Sequence, residues 1–162
     1  MADSKPRYLS DGDVHATVHG FESCTTLDSE FDHPAHLTVA LSYLHCSKLT
    51  VPRAAERVRI GIYRFLDHYG EDREKYNQTI TLFWIRLVRA FLERTDASRP
   101  LWQIANEMVE SFGSAGIIYD YYSKERLSSE EARKAWVEPD IKPLDFEAGL
   151  SLGEFTDQKF EL

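Results

Sequence analysis

Apolar residues recur along this chain at helical spacing almost throughout. The clearest stripe is Val51, Ala55, Val58, Ile62, Phe65 and Tyr69, at steps of four, three, four, three and four. Those steps place all six on one face of an α-helix. Thr50 can cap that helix and Gly70 can end it. A second stripe, Tyr76, Ile80, Phe83, Leu87 and Phe91, is widened by Trp84, Val88 and Leu92, so a helix from Asp72 to about Arg94 is expected at the centre.

Shorter segments read the same way. Ser10 or Asp11 opens a helix to about Ser23, and Pro34 suits the first turn of one that reaches Cys46. Ser98 is expected to cap a helix ending at Gly113, and Ser128 with Glu131 has the form of a capping box for a last helix through Trp136. Period-two alternation never persists for more than four residues. The expected fold is therefore all-α: a single-domain bundle of about six or seven helices spanning 10–137. A loose arm precedes it at 1–9, and an extended tail at 138–162 is expected to lie across the bundle or a neighbouring subunit.

Length and composition agree with one ordinary core. The 162 residues suffice to bury a core without disulfides or metal. Apolar residues at 43% and charged ones at 28% exclude a fibrous or wholly disordered chain. The net charge of −8 disfavours nucleic acid and anionic membranes as partners. No apolar run approaches 18 residues, and MADSKPRYLSDGD has no apolar core of a signal peptide. Cys24 and Cys46 form no CxxC pair, so free thiols in a reducing cytoplasm are expected. Arg53, Arg57, Arg59 and Arg64 read as a solvated helix face.

Three groups carry candidate chemistry. His33 and His36, three residues apart, can share one side of a first helical turn, where imidazoles serve as metal ligands or as a base. The bland alternative is that His33 or Asp32 caps the helix and His36 is a hydrogen-bonded, half-buried side chain. Asn77, Gln78 and Thr81 are polar on a helix otherwise apolar, and either line a pocket with His36 or tie two helices together. Tyr119, Tyr121 and Tyr122 with Arg126 offer phenols for proton transfer, or simply packing with wet tips. His15 and His19 read as a surface pair. The sequence has no nucleophile elbow, phosphate-binding loop, dinucleotide fingerprint or HExxH.

Taken together, Phe31-x-His33-x-x-His36-Leu37, Tyr76-x-x-Thr79-Ile80-Thr81 with Trp84, Tyr121-Tyr122-Ser123-x-Glu125-x-Leu127, Ala132-Arg133 and Glu138-Pro139-Asp140 resemble a family of small, uncharacterised, mostly bacterial helical proteins. The resemblance spans residues 20–145. Where that family carries Tyr-His-Glu-Thr, this chain has Asn77 and Gln78, which removes one good metal ligand and one ionisable group. The resemblance therefore implies that any metal or acid–base site of the family is altered here, because amides match imidazole poorly for zinc, iron or copper.

The expected site is a polar pocket between the Pro34 helix and the Asp72 helix. His36 would be its base, and His33, Asn77, Gln78, Thr81 and Tyr122 would line it, with Trp84 as an apolar wall. Its expected occupant is a small molecule, and the cofactor, if any, is open. Two alternatives stand beside it. One is a non-catalytic interaction module whose bundle and apolar-studded tail form a homodimer or bind a protein partner. The other is a degenerate metal protein using His33 and His36 with a ligand from outside.

Overall fold

The computed structural model describes residues 5–148. Among them the chain forms seven α-helices and no strand: α1 (Asp11–Glu22), α2 (His33–Leu41), α3 (Val51–His68), α4 (Gln78–Glu93), α5 (Leu101–Phe112), α6 (Lys124–Ser128) and α7 (Glu130–Lys134). The protein is an all-α bundle with a single core. No helix of the described residues is long and apolar enough to cross a membrane.

Helix α4 is central and packs on α2, α3 and α7. The reason lies in its sequence, because Leu82, Phe83, Trp84, Ile85, Leu87, Val88 and Ala90 are all buried. So wide an apolar surface needs neighbours on more than one side. Helix α3 presents the narrower stripe, burying Val51, Ala54, Ala55, Val58, Gly61 and Phe65. At its end Gly70 takes a φ of 68°, and the Glu71 amide bonds back to the Leu66 carbonyl at 2.8 Å. That left-handed closure is cheap only for glycine. Helix α2 runs on into a π-helical turn, Ser42–Cys46, closed by the Ser47 amide on the Ser42 carbonyl at 3.1 Å.

Several boundaries differ from the sequence expectation, each for a local reason. Asp72 caps only a short 3-10 turn, Arg73–Lys75. Helix α4 opens later, at Asn77, whose Oδ1 accepts from the Ile80 amide at 2.9 Å. Ser98 donates to Asp96 instead of capping α5. Pro100 starts α5, and Asp11 of α1 accepts from the exposed Trp102 amide at 3.0 Å. The last cap is Ser129, which accepts from the Ala132 amide, because Ser128 still belongs to α6.

The arm and the tail are tied down where they are described. Tyr8 is buried; its backbone pairs with the Asn106 amide in both directions, at 2.9 and 2.8 Å, and its hydroxyl meets Thr38 Oγ1 at 2.8 Å. A loose arm over 1–9 is therefore not what residues 5–9 form. Phe146 packs its ring on Phe83 and Tyr121, and Glu147 joins Arg86 of α4 in a buried ion pair. Residues 144–148 thus fold back on their own α4. The rest of the expected tail, 149–162, lies outside the described residues.

Candidate functional site

Helix α2 begins with a strong local signal. Asp32 accepts from the Ala35 amide at 3.1 Å, and Pro34 stands in the first turn, where no amide hydrogen is needed. This cap sets His33 and His36 on the first turn of the helix. Arg7 clamps the same carboxylate, with Nη2 to Oδ1 at 2.8 Å and Nη1 to Oδ2 at 3.3 Å. Both the cap and Arg7 hold the Asp32 carboxyl below the usual carboxylate range against the opposing effect of its partial burial.

The two imidazoles line one pocket of about 400 Å3, a volume typical of small-molecule sites. Its walls come from four segments. Helix α2 gives His33, His36 and Ala40, α3 gives Val58 and Ile62, and α4 gives Ile80, Thr81, Trp84 and Ile85. The fourth wall is the 3-10 turn Ala115–Asp120, with Ala115, Gly116 and Tyr119 exposed at the rim. Most of the lining is apolar. The Thr81 hydroxyl and the two imidazoles are its main polar groups.

Each imidazole is anchored by one nitrogen. His36 Nδ1 lies 2.9 Å from the Asp32 carbonyl oxygen, and His33 Nε2 lies 3.3 Å from the Phe112 carbonyl oxygen. A carbonyl can only accept, so these nitrogens carry hydrogen and the tautomers follow. Neutral His36 then keeps its lone pair on Nε2, and neutral His33 keeps its own on Nδ1. Neither of those nitrogens has a hydrogen-bond partner among the described residues. Aromatic neighbours fix the rings: Phe31 lies 4.1 Å from His36 and Trp84 lies 4.3 Å from His33, centroid to centroid.

The surroundings favour neutral rings. His36 is an exposed residue on the pocket wall, and the protein atoms crowded around its ring desolvate it enough to push its pKa below the ordinary histidine value. The nearby His33 acts in the same sense, and the Asp32 carbonyl opposes both. Burial likewise lowers His33, against the Phe112 carbonyl and the Asp32 charge.

Of the seven residues expected at the site, the structure brings His33, His36, Thr81 and Trp84 to one pocket and places Asn77, Gln78 and Tyr122 elsewhere. Asn77 caps α4 and donates Nδ2 to the Leu127 carbonyl at 2.7 Å. Gln78 is buried, and its Oε1 accepts from the Tyr76 hydroxyl at 2.5 Å. Tyr122 is fully buried and donates to the Val137 carbonyl at 2.6 Å. Burial also raises the pKa of Tyr122, with Glu138 adding to the shift, so its proton stays in place. Asn77 and Tyr122 thus tie helices and loops together, while Gln78 bonds to its near neighbour Tyr76. Tyr121 donates to Asp145, and Arg126 Nε donates to the Glu138 carbonyl at 2.9 Å.

The pocket also contains residues that sequence reasoning did not assign to it. Val58 and Ile62 looked like ordinary core on the α3 stripe, and Gly116 carried no signal. Tyr119 could have been found as a large aromatic beside two small residues, Ala115 and Gly116. No group of three or more His, Cys, Asp or Glu side chains gathers among the described residues in a way that could hold a metal ion. No protein-family model, curated protein or solved structure matches this chain.

Proposed function

We propose that this protein binds a small organic molecule in the pocket between α2, α3, α4 and the 115–120 turn. The ligand has an apolar body, matched to Val58, Ile62, Ile80, Ile85 and Trp84, and presents one hydrogen-bond donor to the polar corner. The observation that carries this reading is His36. Its Nδ1 hydrogen is committed to Asp32, so the Nε2 lone pair is left as an acceptor in a pocket that keeps the ring neutral. A neutral imidazole held this way can also act as a general base toward an acidic ligand proton. Thr81 stands on the α4 wall of the same pocket as a second polar residue.

Calorimetric titration with 4-ethylphenol and with ethylbenzene tests it. The two probes share an apolar body and differ in the hydroxyl. One hydrogen bond between neutral partners is worth about 1 kcal/mol net, so the phenol should bind roughly fivefold more tightly. A folded His36→Phe protein should lose that preference. Equal binding of the two probes, or a preference unchanged in His36→Phe, would defeat the reading.

A further inference from the structure

A second pocket of about 410 Å3 lies away from the histidines, lined by Tyr63, Arg73, Glu74, Tyr76, Arg133 and Lys134. It is built from α3, the turn Arg73–Lys75 and α7. Its back wall is aromatic, since the rings of Tyr63 and Tyr76 meet edge to face at 5.3 Å and 70°. The Arg73 guanidinium sits 4.6 Å from the Tyr63 ring centre and that of Arg59 5.6 Å away, so one tyrosine ring holds two cations in place.

The basic groups here are incompletely neutralised. Arg73 binds Asp67 through Nε and Nη2, at 3.1 and 2.7 Å, which leaves its Nη1 hydrogens free to donate. Lys134 has only a long 3.4 Å contact with Glu130. Arg133 touches the Ser128 carbonyl at 3.5 Å and has no carboxylate partner among the described residues. Arg59 Nε is buried with no acceptor at all among them. Buried donors are rarely left so, and this one belongs to a cation behind the pocket wall. The opposing charge in the lining is Glu74 alone.

We propose that this second pocket is an oxyanion site that takes a phosphate or carboxylate group carried on a flat aromatic body. Arg133, Arg73 and Lys134 would donate to the anion, and Tyr63 and Tyr76 would face the ring. Guanidinium groups suit both oxyanions because their hydrogens form a planar fork. The overall charge of −8 does not oppose a local site of this kind, because at physiological salt charges beyond roughly 8 Å are screened. The site is independent of the His36 pocket.

The test is calorimetric titration of the full-length protein with phenyl phosphate, with benzoate and with inorganic phosphate. Expected is saturable binding of phenyl phosphate or benzoate that weakens as salt rises. Arg133→Gln should weaken that binding about tenfold. Glu74→Gln should tighten it several-fold, because it removes the repelling carboxylate, and a folding defect could not produce that gain. His36→Phe should leave it unchanged, so failure here and failure of the histidine-pocket reading are told apart. No saturable binding of either aromatic anion overturns the proposal. So do affinities unaltered in Arg133→Gln and Glu74→Gln, and so does inorganic phosphate binding as tightly as phenyl phosphate, since the tyrosine wall would then contribute nothing.

Discussion

Asp32 caps helix α2 with its side chain and fixes His36 with its backbone: the same residue accepts from the Ala35 amide at 3.1 Å and, through its carbonyl, from His36 Nδ1 at 2.9 Å. One residue therefore anchors both the start of α2 and the His36 ring. The consequence is a pH dependence whose sign can be worked out. His36 and His33 both titrate below the ordinary value of 6.5 in the folded chain. As pH falls through that value, the unfolded chain takes up protons and the folded chain does not, so stability falls. The loss continues until pH passes the lowered folded values and then levels off. Urea midpoints should accordingly be lower at pH 5.5 than at pH 8. Replacing both histidines with glutamine should flatten much of that difference. A shallower slope remains from His45, which burial and Lys48 also lower. Imidazole resonances followed by NMR should show midpoints below 6.5 for residues 33 and 36; midpoints at or above it would contradict the structure.

The polar residues at the start of α4 support a different prediction. Thr79 is fully buried and spans two segments, because its hydroxyl donates to the Ala135 carbonyl at 2.7 Å and accepts from the Val137 amide at 3.1 Å. Thr79→Val keeps the shape and removes both bonds. It leaves a partly buried carbonyl and a buried amide unpaired, at a cost of about 2 kcal/mol. Thr79→Ser should recover most of it. Urea denaturation of the three proteins decides the matter, and a valine variant as stable as the parent would mean that the segment after α7 is not held this way.

These residues also show how far the sequence could be read. The helical character was legible because it rests on periodicity, and α3 and α4 have wide, regular stripes. The boundaries near Asp72, Ser98 and Ser128 were not, since several side chains in each stretch could cap and only tertiary packing chooses among them. For the site, polar residues on apolar helices signalled buried hydrogen bonds correctly but not their partners. Asn77 looked equivalent to Thr81 because the two are one turn apart. Asn77 instead reaches Leu127, fifty positions along the chain, which no local pattern announces. Arg59 is the converse case: it read as part of a solvated face, yet its Nε is buried.

Helix α3 crosses α1 at a glycine for a steric reason. A Cβ on Gly61 would stand 2.5 Å from Cε2 and Cζ of Phe21. That ring cannot move aside freely, because it stacks on Phe31 at 4.7 Å and leans on Phe65 at 6.0 Å. Gly61→Ala should therefore destabilise the protein by about 1–3 kcal/mol despite alanine's better helix propensity. Pairing it with Phe21→Leu should cost less than the sum of the two single changes, since the smaller side chain yields the space. Additive losses would show that the contact is not the cause.

The strongest electrostatic test lies where the chain folds back on α4. Arg86 Nε and Nη2 grip the two carboxylate oxygens of Glu147 at 2.8 and 2.6 Å, and the Glu147 side chain is only 6% exposed. Arg94 reinforces the turn by donating to the Phe146 and Ala148 carbonyls at 2.7 and 2.9 Å. Desolvating two charges offsets much of their attraction, so the pair itself adds little net stability. Breaking it is another matter, because the surviving charge stays buried without a partner. Glu147→Ala should cost about 3 kcal/mol and expose residues 144–148 to proteolysis. The double change Arg86→Met with Glu147→Leu should recover much of that loss, because neither residue then carries a charge. If Glu147→Ala unfolds at the parental urea concentration and resists protease equally well, this turn does not hold the C-terminal segment to the bundle.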